Sequence, residues 1–244
     1  MTGEQIENNK LPAKRYSHAR LEPQRRLLRF LIKVIGFGLL AKLDRVEGIE
    51  NVPRHGPAIL MINHIAFIDP IVVMHVLPRN IVPLAKVEVY SYPGIGIFPR
   101  IWGVIPIKRD ELDRRALQQM FDVLNAGEIV LVAPEGTRGD KLQIGKEGIA
   151  YVGSRTQVPI VPVAIQGTQG FPALRFSEPW KGRGAYVRFG RPFRYRPEFK
   201  RAGLENLRKM TDEAMYILAS LLPPEQRGYY SDLYQSTMET IEWV

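Results

Sequence analysis

Apolar positions along this chain follow two rhythms. Short continuous apolar runs occur at Pro57–Ile62, Ile81–Ala85, Gly103–Ile107, Ile129–Ala133 and Val158–Ile165. Runs of this kind suit strands that are covered on both faces. Ala185–Phe189 alternates instead, as a strand with one wet face does. The other rhythm is helical. Asp110–Ala126 opens with acidic residues, carries Leu112, Ala116, Leu117, Met120, Phe121, Val123 and Leu124 on an apolar face, and ends at Gly127. Leu204–Leu222 gathers Leu204, Leu207, Met210, Ala214, Leu218 and Leu221 on one side and is stopped by Pro223-Pro224. Asp69–Leu77 reads as a shorter helix. Strands alternating with helices predict an α/β fold, with a mixed, largely parallel sheet flanked by helices. Pro159 and Pro162, inside the last apolar run, argue for an edge or bulged strand.

The N-terminal region breaks this rhythm. Residues 1–20 read as a mobile basic leader, residues 21–43 as an amphipathic helical segment that docks on a membrane, and residues 44–244 as the α/β domain. The stretch Leu27–Leu43 is too short and carries too many cations (Arg29, Lys33, Lys42) for a spanning helix, which needs ~20 mostly apolar residues. As a helix, it places Arg25, Arg29 and Lys33 in one basic stripe, with Leu27, Leu28, Phe30, Leu31, Ile32, Val34, Ile35, Leu39 and Leu40 over most of the remainder. Pro23 is compatible with the first turn. Two readings fit: a helix lying in the interface of an anionic bilayer, or a core-packing helix whose cations snorkel to solvent. The polar opening residues offer no signal peptide.

Composition narrows the chemistry. The 244 residues are 45% hydrophobic and 24% charged, a globular balance, and the net charge is +9. A surplus of that size points to an anionic partner: nucleic acid, a membrane surface or a phosphorylated substrate. The absence of cysteine excludes disulfides, thiolate metal sites and a cysteine nucleophile. No metal site is expected from the four histidines or from any carboxylate cluster. No Gly-x-Ser-x-Gly elbow and no Walker loop occur.

Four segments lie where α/β domains place their sites, beyond strand ends. Asn63-His64 and Asp69 follow the first apolar run. A carboxylate five residues from an imidazole can fix its tautomer and leave the other nitrogen as a base, although Asp69-Pro70 would also make an ordinary helix start. Gly103–Arg109 delivers Lys108 and Arg109 at a strand end. Ala133–Gly139 offers Glu135, two glycines and Arg138, a guanidinium able to hold a phosphate. Val158–Val163 is a pocket wall or plain β structure.

In this order, Asn-His-x4-Asp, Gly-x3-Ile-x-Arg, Pro-Glu-Gly-Thr-Arg and Val-Pro-Ile-Val-Pro-Val resemble the glycerophospholipid acyltransferase family, over about residues 45–195. The resemblance implies transfer of an acyl chain from acyl-CoA or acyl-[acyl carrier protein] to the sn-2 hydroxyl of 1-acyl-sn-glycerol 3-phosphate, giving phosphatidic acid. It implies His64 as general base, supported by Asp69, with no covalent acyl-enzyme and no cofactor. Asn63, Lys86, Arg109, Glu135, Gly136, Thr137 and Arg138 would bind the acceptor, and Val161 and Pro162 would lie on the acyl-donor side. The implied partners are an anionic membrane surface, a lyso-phospholipid and the acyl donor. The implied place is the cytoplasmic face of the cell membrane, as a peripheral or monotopic protein. Another lyso-lipid acceptor is the nearest alternative. Nucleic-acid binding is the remote one, since no basic patch interleaved with aromatics is visible.

Overall fold

The structure, a computed structural model, describes residues 16–108 and 113–244. Helix α1 (His18–Leu31) passes without a break into a wider, π-helical stretch, Ile32–Leu40. Then follow β1 (Leu43–Glu47), β2 (Ala58–Ile62), α2 (Asp69–Val76), β3 (Ile81–Lys86), α3 (Ile97–Trp102) and β4 (Ile105–Ile107). Beyond residue 112 come α4 (Arg114–Asn125), β5 (Ile129–Val132), α5 (Gly148–Thr156), β6 (Ile160–Gln166), α6 (Glu178–Lys181), β7 (Ala185–Phe189), β8 (Phe193–Tyr195), α7 (Leu204–Ser220) and β9 (Ile241–Trp243).

The strands build one mixed sheet in the order β1-β7-β6-β2-β5-β3-β4, with β8 beside β6 and β9 beside β8. The run from β6 to β4 is parallel, with Leu60 of β2 opposite Leu131 of β5 on one side and Val161 of β6 on the other. The β6–β7 pair is antiparallel. Side chains alternate across the sheet, so each central strand feeds two cores. Ile59, Met61, Val130, Val132 and Ile160 pack with Met120 and Val123 of α4, Ile149 and Val152 of α5, and Met210, Ala214 and Leu218 of α7. Leu60, Ile62, Leu131, Val161 and Val163 pack on the other face with Val72 and Val73 of α2, Trp102, and Ile32 from the N-terminal helix. Each such side chain contributes about 1.5–3 kcal/mol by leaving water. Both faces are covered, and the uninterrupted apolar runs follow from that. In β7 the expected alternation holds: Ala185, Val187 and Phe189 are buried and Arg188 is exposed.

The edge-strand reading of Val158–Ile165 is corrected by this topology: β6 is an interior strand. The Pro162 carbonyl accepts from Gly190 N–H at 2.8 Å, so the polar edge of this residue faces the far neighbour and not β2. That neighbour changes here, from β8 (Ile160 opposite Phe193) to β7 (Val163 opposite Phe189). The missing N–H therefore falls in a gap between two partners, where no ladder bond is lost.

The N-terminal helix is also reoriented relative to expectation. Residues 1–15 of the expected leader lie outside the described residues, and α1 begins at His18, so Pro23 sits in its second turn. Arg25, from the expected outward stripe, is 0% exposed. Its Nε donates to the Trp102 carbonyl (2.8 Å) and its Nη1 to the Tyr16 hydroxyl (2.9 Å), with both aromatic rings within cation–π range. Arg29 pairs with Asn80 and Glu22. The two arginines thus fasten the helix to α3 and to the start of β3. The outward side is amphipathic: Leu27 and Phe30 are each 60% exposed, Val34, Ile35 and Leu39 follow along the same helix, and Arg26 and Lys33, the latter from the expected stripe, are exposed among them. Among the described residues, no helix is long and apolar enough to cross a membrane.

Candidate active site

The turn between β2 and α2 carries His64 and Asp69. The Asp69 carboxylate does not cap its own helix. It turns back, and its Oδ2 accepts from His64 Nδ1 (2.9 Å), Ile65 N–H (2.7 Å) and Ala66 N–H (2.8 Å). The ordinary helix-start role is thereby set aside. Asp69 is fully buried, and its Oδ1 has no hydrogen-bond partner among the described residues. An ionised carboxylate only accepts, so the proton of a neutral imidazole sits on Nδ1 and the lone pair on Nε2. That arrangement suits a general base held in one tautomer.

The loop after β5 grips the main chain of His64. Gly139 N–H donates to the His64 carbonyl at 2.8 Å. Glu135, 5% exposed, accepts from Gln143 N–H at 2.8 Å through Oε2, while its Oε1 is buried without a partner among the described residues. Burial pushes the Glu135 carboxyl up to about 7, against the pull of backbone hydrogen bonds from Gln143 and His64. Its role is to brace backbone. Among the described residues it makes no bond to Arg138, and its bonded oxygen is engaged internally. Thr137 and Arg138 are exposed on the same loop.

Gly136 has φ +69°, a left-handed conformation that glycine adopts without penalty. A methyl group added there would come within 3.2 Å of Lys146 Cε and 3.4 Å of its Nζ. Lys146 is thus seated over Gly136, and its own N–H donates to the Pro134 carbonyl at 2.9 Å. Asp113 serves a similar positioning purpose across the site: its Oδ2 accepts from Lys108 N–H, and its Oδ1 caps α4 through Arg115 and Ala116, each at 3.0 Å.

His64, Gly136, Lys108 and Lys146 border one cavity of about 640 Å³. Its other walls are mostly apolar, from Leu84, Ile107, Leu117, Met120, Leu131, Ile149, Tyr151 and Leu207. The imidazole therefore faces an oily chamber with cations at its border.

Several candidates lie elsewhere. The Asn63 side chain donates to and accepts from the Ile165 backbone (2.9 and 2.7 Å), so it braces β6 and is not available to a substrate. Val161 and Pro162 are buried in the interior of the sheet and are not among the cavity's walls. Lys86 pairs with Glu88 at 3.1 Å; it shares a face of β3 with Leu84, a cavity wall, and stands opposite Ile107. Arg109 lies outside the described residues. Lys146 and Asp113 were not singled out by sequence reasoning. Asp113 had a usable signal, an acidic residue opening a strongly periodic helix. Lys146 had none, since a long irregular loop returns it to the site.

A histidine held by a buried carboxylate thus borders an apolar chamber, beside a Pro-Glu-Gly-Thr-Arg loop. Residues 44–166 match the Acyltransferase family, and the chain belongs to that family. It is similar to the chloroplastic 1-acyl-sn-glycerol-3-phosphate acyltransferase of Arabidopsis thaliana, with 33% identity over 130 residues, covering 50% of this chain and 36% of that one. It is also similar to the 1-acyl-sn-glycerol-3-phosphate acyltransferase of Borreliella burgdorferi, with 31% identity over 130 residues and 52% of each chain. The chain thus spans between about a third and about half of these relatives, 36% and 52% respectively. The crystal structure of the 1-acyl-sn-glycerophosphate acyltransferase from Thermotoga maritima shares the fold, with a TM-score of 0.60, 22% identity, and coverage of 90% of this chain and 86% of that one.

Proposed function

We propose that this chain is a membrane-associated acyltransferase that moves an acyl group from acyl-CoA or acyl-[acyl carrier protein] to the sn-2 hydroxyl of 1-acyl-sn-glycerol 3-phosphate, giving phosphatidic acid. The observation that carries the reading is the bond from His64 Nδ1 to the buried Asp69 carboxylate, at the border of the apolar cavity. In the reaction, His64 Nε2 takes the proton of the acceptor hydroxyl as its oxygen attacks the thioester carbonyl. The tetrahedral adduct expels the thiolate, which recovers the proton from the imidazolium. Asp69 stabilises that imidazolium while it lasts. A thioester is already activated, so no enzyme nucleophile is required. The cavity walls suit an acyl chain, and Lys108, Lys146 and Arg138 suit the phosphate of the acceptor.

The outer side of α1, with Leu27, Phe30, Val34, Ile35 and Leu39 exposed, supports docking on the cytoplasmic face of a membrane, where the acceptor resides. The names of the relatives support the choice of acceptor. The test is an acyl-transfer assay that crosses both donor types with lyso-phospholipids bearing and lacking a terminal phosphate. His64→Ala should lower kcat about 10²–10⁴-fold. Undiminished turnover in that variant removes the base assignment, and equal rates on all acceptors remove the phosphate preference.

A further inference from the structure

We propose that the loop Phe171–Phe176 is a second bilayer-inserting element, a rigid apolar tip that enters an anionic membrane beside α1. This rests on the membrane-docking reading above, and it concerns a segment far from α1 in sequence. Phe171 is buried and packs edge-on against Trp180, with ring centroids 6.1 Å apart, so the base of the loop is fixed in the domain. Trp180 Nε1 donates to the Ala173 carbonyl at 2.8 Å. The tip is the reverse of this: Leu174 is 71% exposed and Phe176 86%.

Two further observations point the tip toward a surface. Ala173 N–H and Arg175 N–H donate to the carbonyls of Leu40 and Leu39, each at 2.8 Å, which ties the loop to the exposed apolar end of the N-terminal helix. The two apolar surfaces are therefore continuous. Ser177 N–H donates to the Leu174 carbonyl and closes a four-residue turn, and the residue in its third place, Phe176, has φ +73°. Glycine is the usual occupant of such a position, and a bulky aromatic there is strained. A strained residue that makes no core contact suggests a function gained from its exposure. Between the two apolar side chains, the Arg175 guanidinium lies 5.3 Å from the Phe176 ring and 6.0 Å from that of Trp180. Apolar groups flanking a cation that can rise to the headgroups are suited to an anionic lipid surface, and they fit a second copy of this basic chain poorly.

The test is co-sedimentation of the full chain with vesicles of phosphatidylcholine, with and without phosphatidylglycerol. Leu174→Ser with Phe176→Ser should lower partition onto phosphatidylglycerol vesicles at least about tenfold, with turnover on detergent-dispersed acceptor unchanged. Phe176→Gly should lower partition while raising Tm, because it relieves the backbone. Unchanged partition in the loop double variant, when Leu27→Ser with Phe30→Ser lowers it, overturns the loop proposal alone. Unchanged partition in both double variants overturns the membrane reading itself. A parent dimer that the loop double variant dissociates, with vesicle binding intact, would assign the tip to a second copy and overturn the proposal.

Discussion

Two buried carboxylates stand on either side of His64, and they are used in opposite ways. Asp69 reaches the ring: one oxygen collects the imidazole N–H and two backbone N–H groups. Glu135 reaches the main chain: one oxygen takes the Gln143 N–H, on the loop whose Gly139 N–H holds the His64 carbonyl. Both are nearly inaccessible, and each leaves its other oxygen bare among the described residues. The difference lies in what each acid can alter. Asp69 is bonded to the imidazole ring, whereas Glu135 is bonded to the loop that holds the His64 carbonyl. An acidic residue beside a histidine is therefore not by itself evidence of a chemical role, because the partner atom decides it.

Replacement of each acid by its amide should separate the two roles. Asp69→Asn removes the charge that stabilises the imidazolium and should lower kcat roughly 10²–10⁴-fold with little change in KM. A loss under tenfold would make the two acids alike. On the exposed arm of the same loop, Arg138→Ala should raise KM for the phosphorylated acceptor about tenfold, the equivalent of one charge-assisted hydrogen bond, and leave kcat in place. A fall in kcat at constant KM would move Arg138 from binding to chemistry.

Glu135→Gln should act mainly through pH. The folded carboxyl titrates near 7, above its ordinary value of 4.5. Its favourable contribution is complete below about 4.5, declines as pH rises to about 7, and is constant beyond. The Tm of Glu135→Gln relative to the parent should climb across that window by on the order of 5 °C, as thermal melts at pH 4.5, 6 and 8 would reveal. A difference independent of pH would mean that the carboxyl ionises alike in the folded and unfolded chain, so that burial does not raise it. The smallest expected effect is that of Gly136→Ala. It costs about 1 kcal/mol from its left-handed backbone, measured by urea unfolding, and it displaces Lys146. Unaltered stability would show that the loop relaxes around the new methyl group.

His64 and Asp69 were legible because their relation is local: a strand, a turn and five residues. The α4 and α7 faces were legible from periodicity, and the parallel sheet from uninterrupted apolar runs. What was misread depends on partners distant in sequence. Proline, which lacks a donor, argues for an edge or bulged strand at β6, yet the strand is interior and the deficit is harmless where β8 gives way to β7. The orientation of α1 is set by Trp102 and Asn80, and nothing in residues 21–43 alone tells a cation that faces water from one that faces a buried carbonyl. Asn63 lies beside the base in sequence and was read as part of the site, but its amide completes the hydrogen bonding of a strand 102 residues away. Lys146 was invisible because only the folded loop returns it to Gly136.

The inward arginines of α1 have a practical consequence for anyone seeking a version of this chain that stays dispersed in water. Cutting away the N-terminal helix would remove more than exposed apolar side chains. It would uncover Trp102, strip the Trp102 carbonyl of its Arg25 donor and separate Asn80 from Arg29 and Glu22, at the place where α3 turns toward β4 and Lys108. Repainting the outer side of the helix, by polar substitution at Leu27, Phe30 and Val34, would leave that seam closed. Truncation and surface redesign are therefore unequal routes to a tractable protein, and only the second keeps the cavity wall supported from behind.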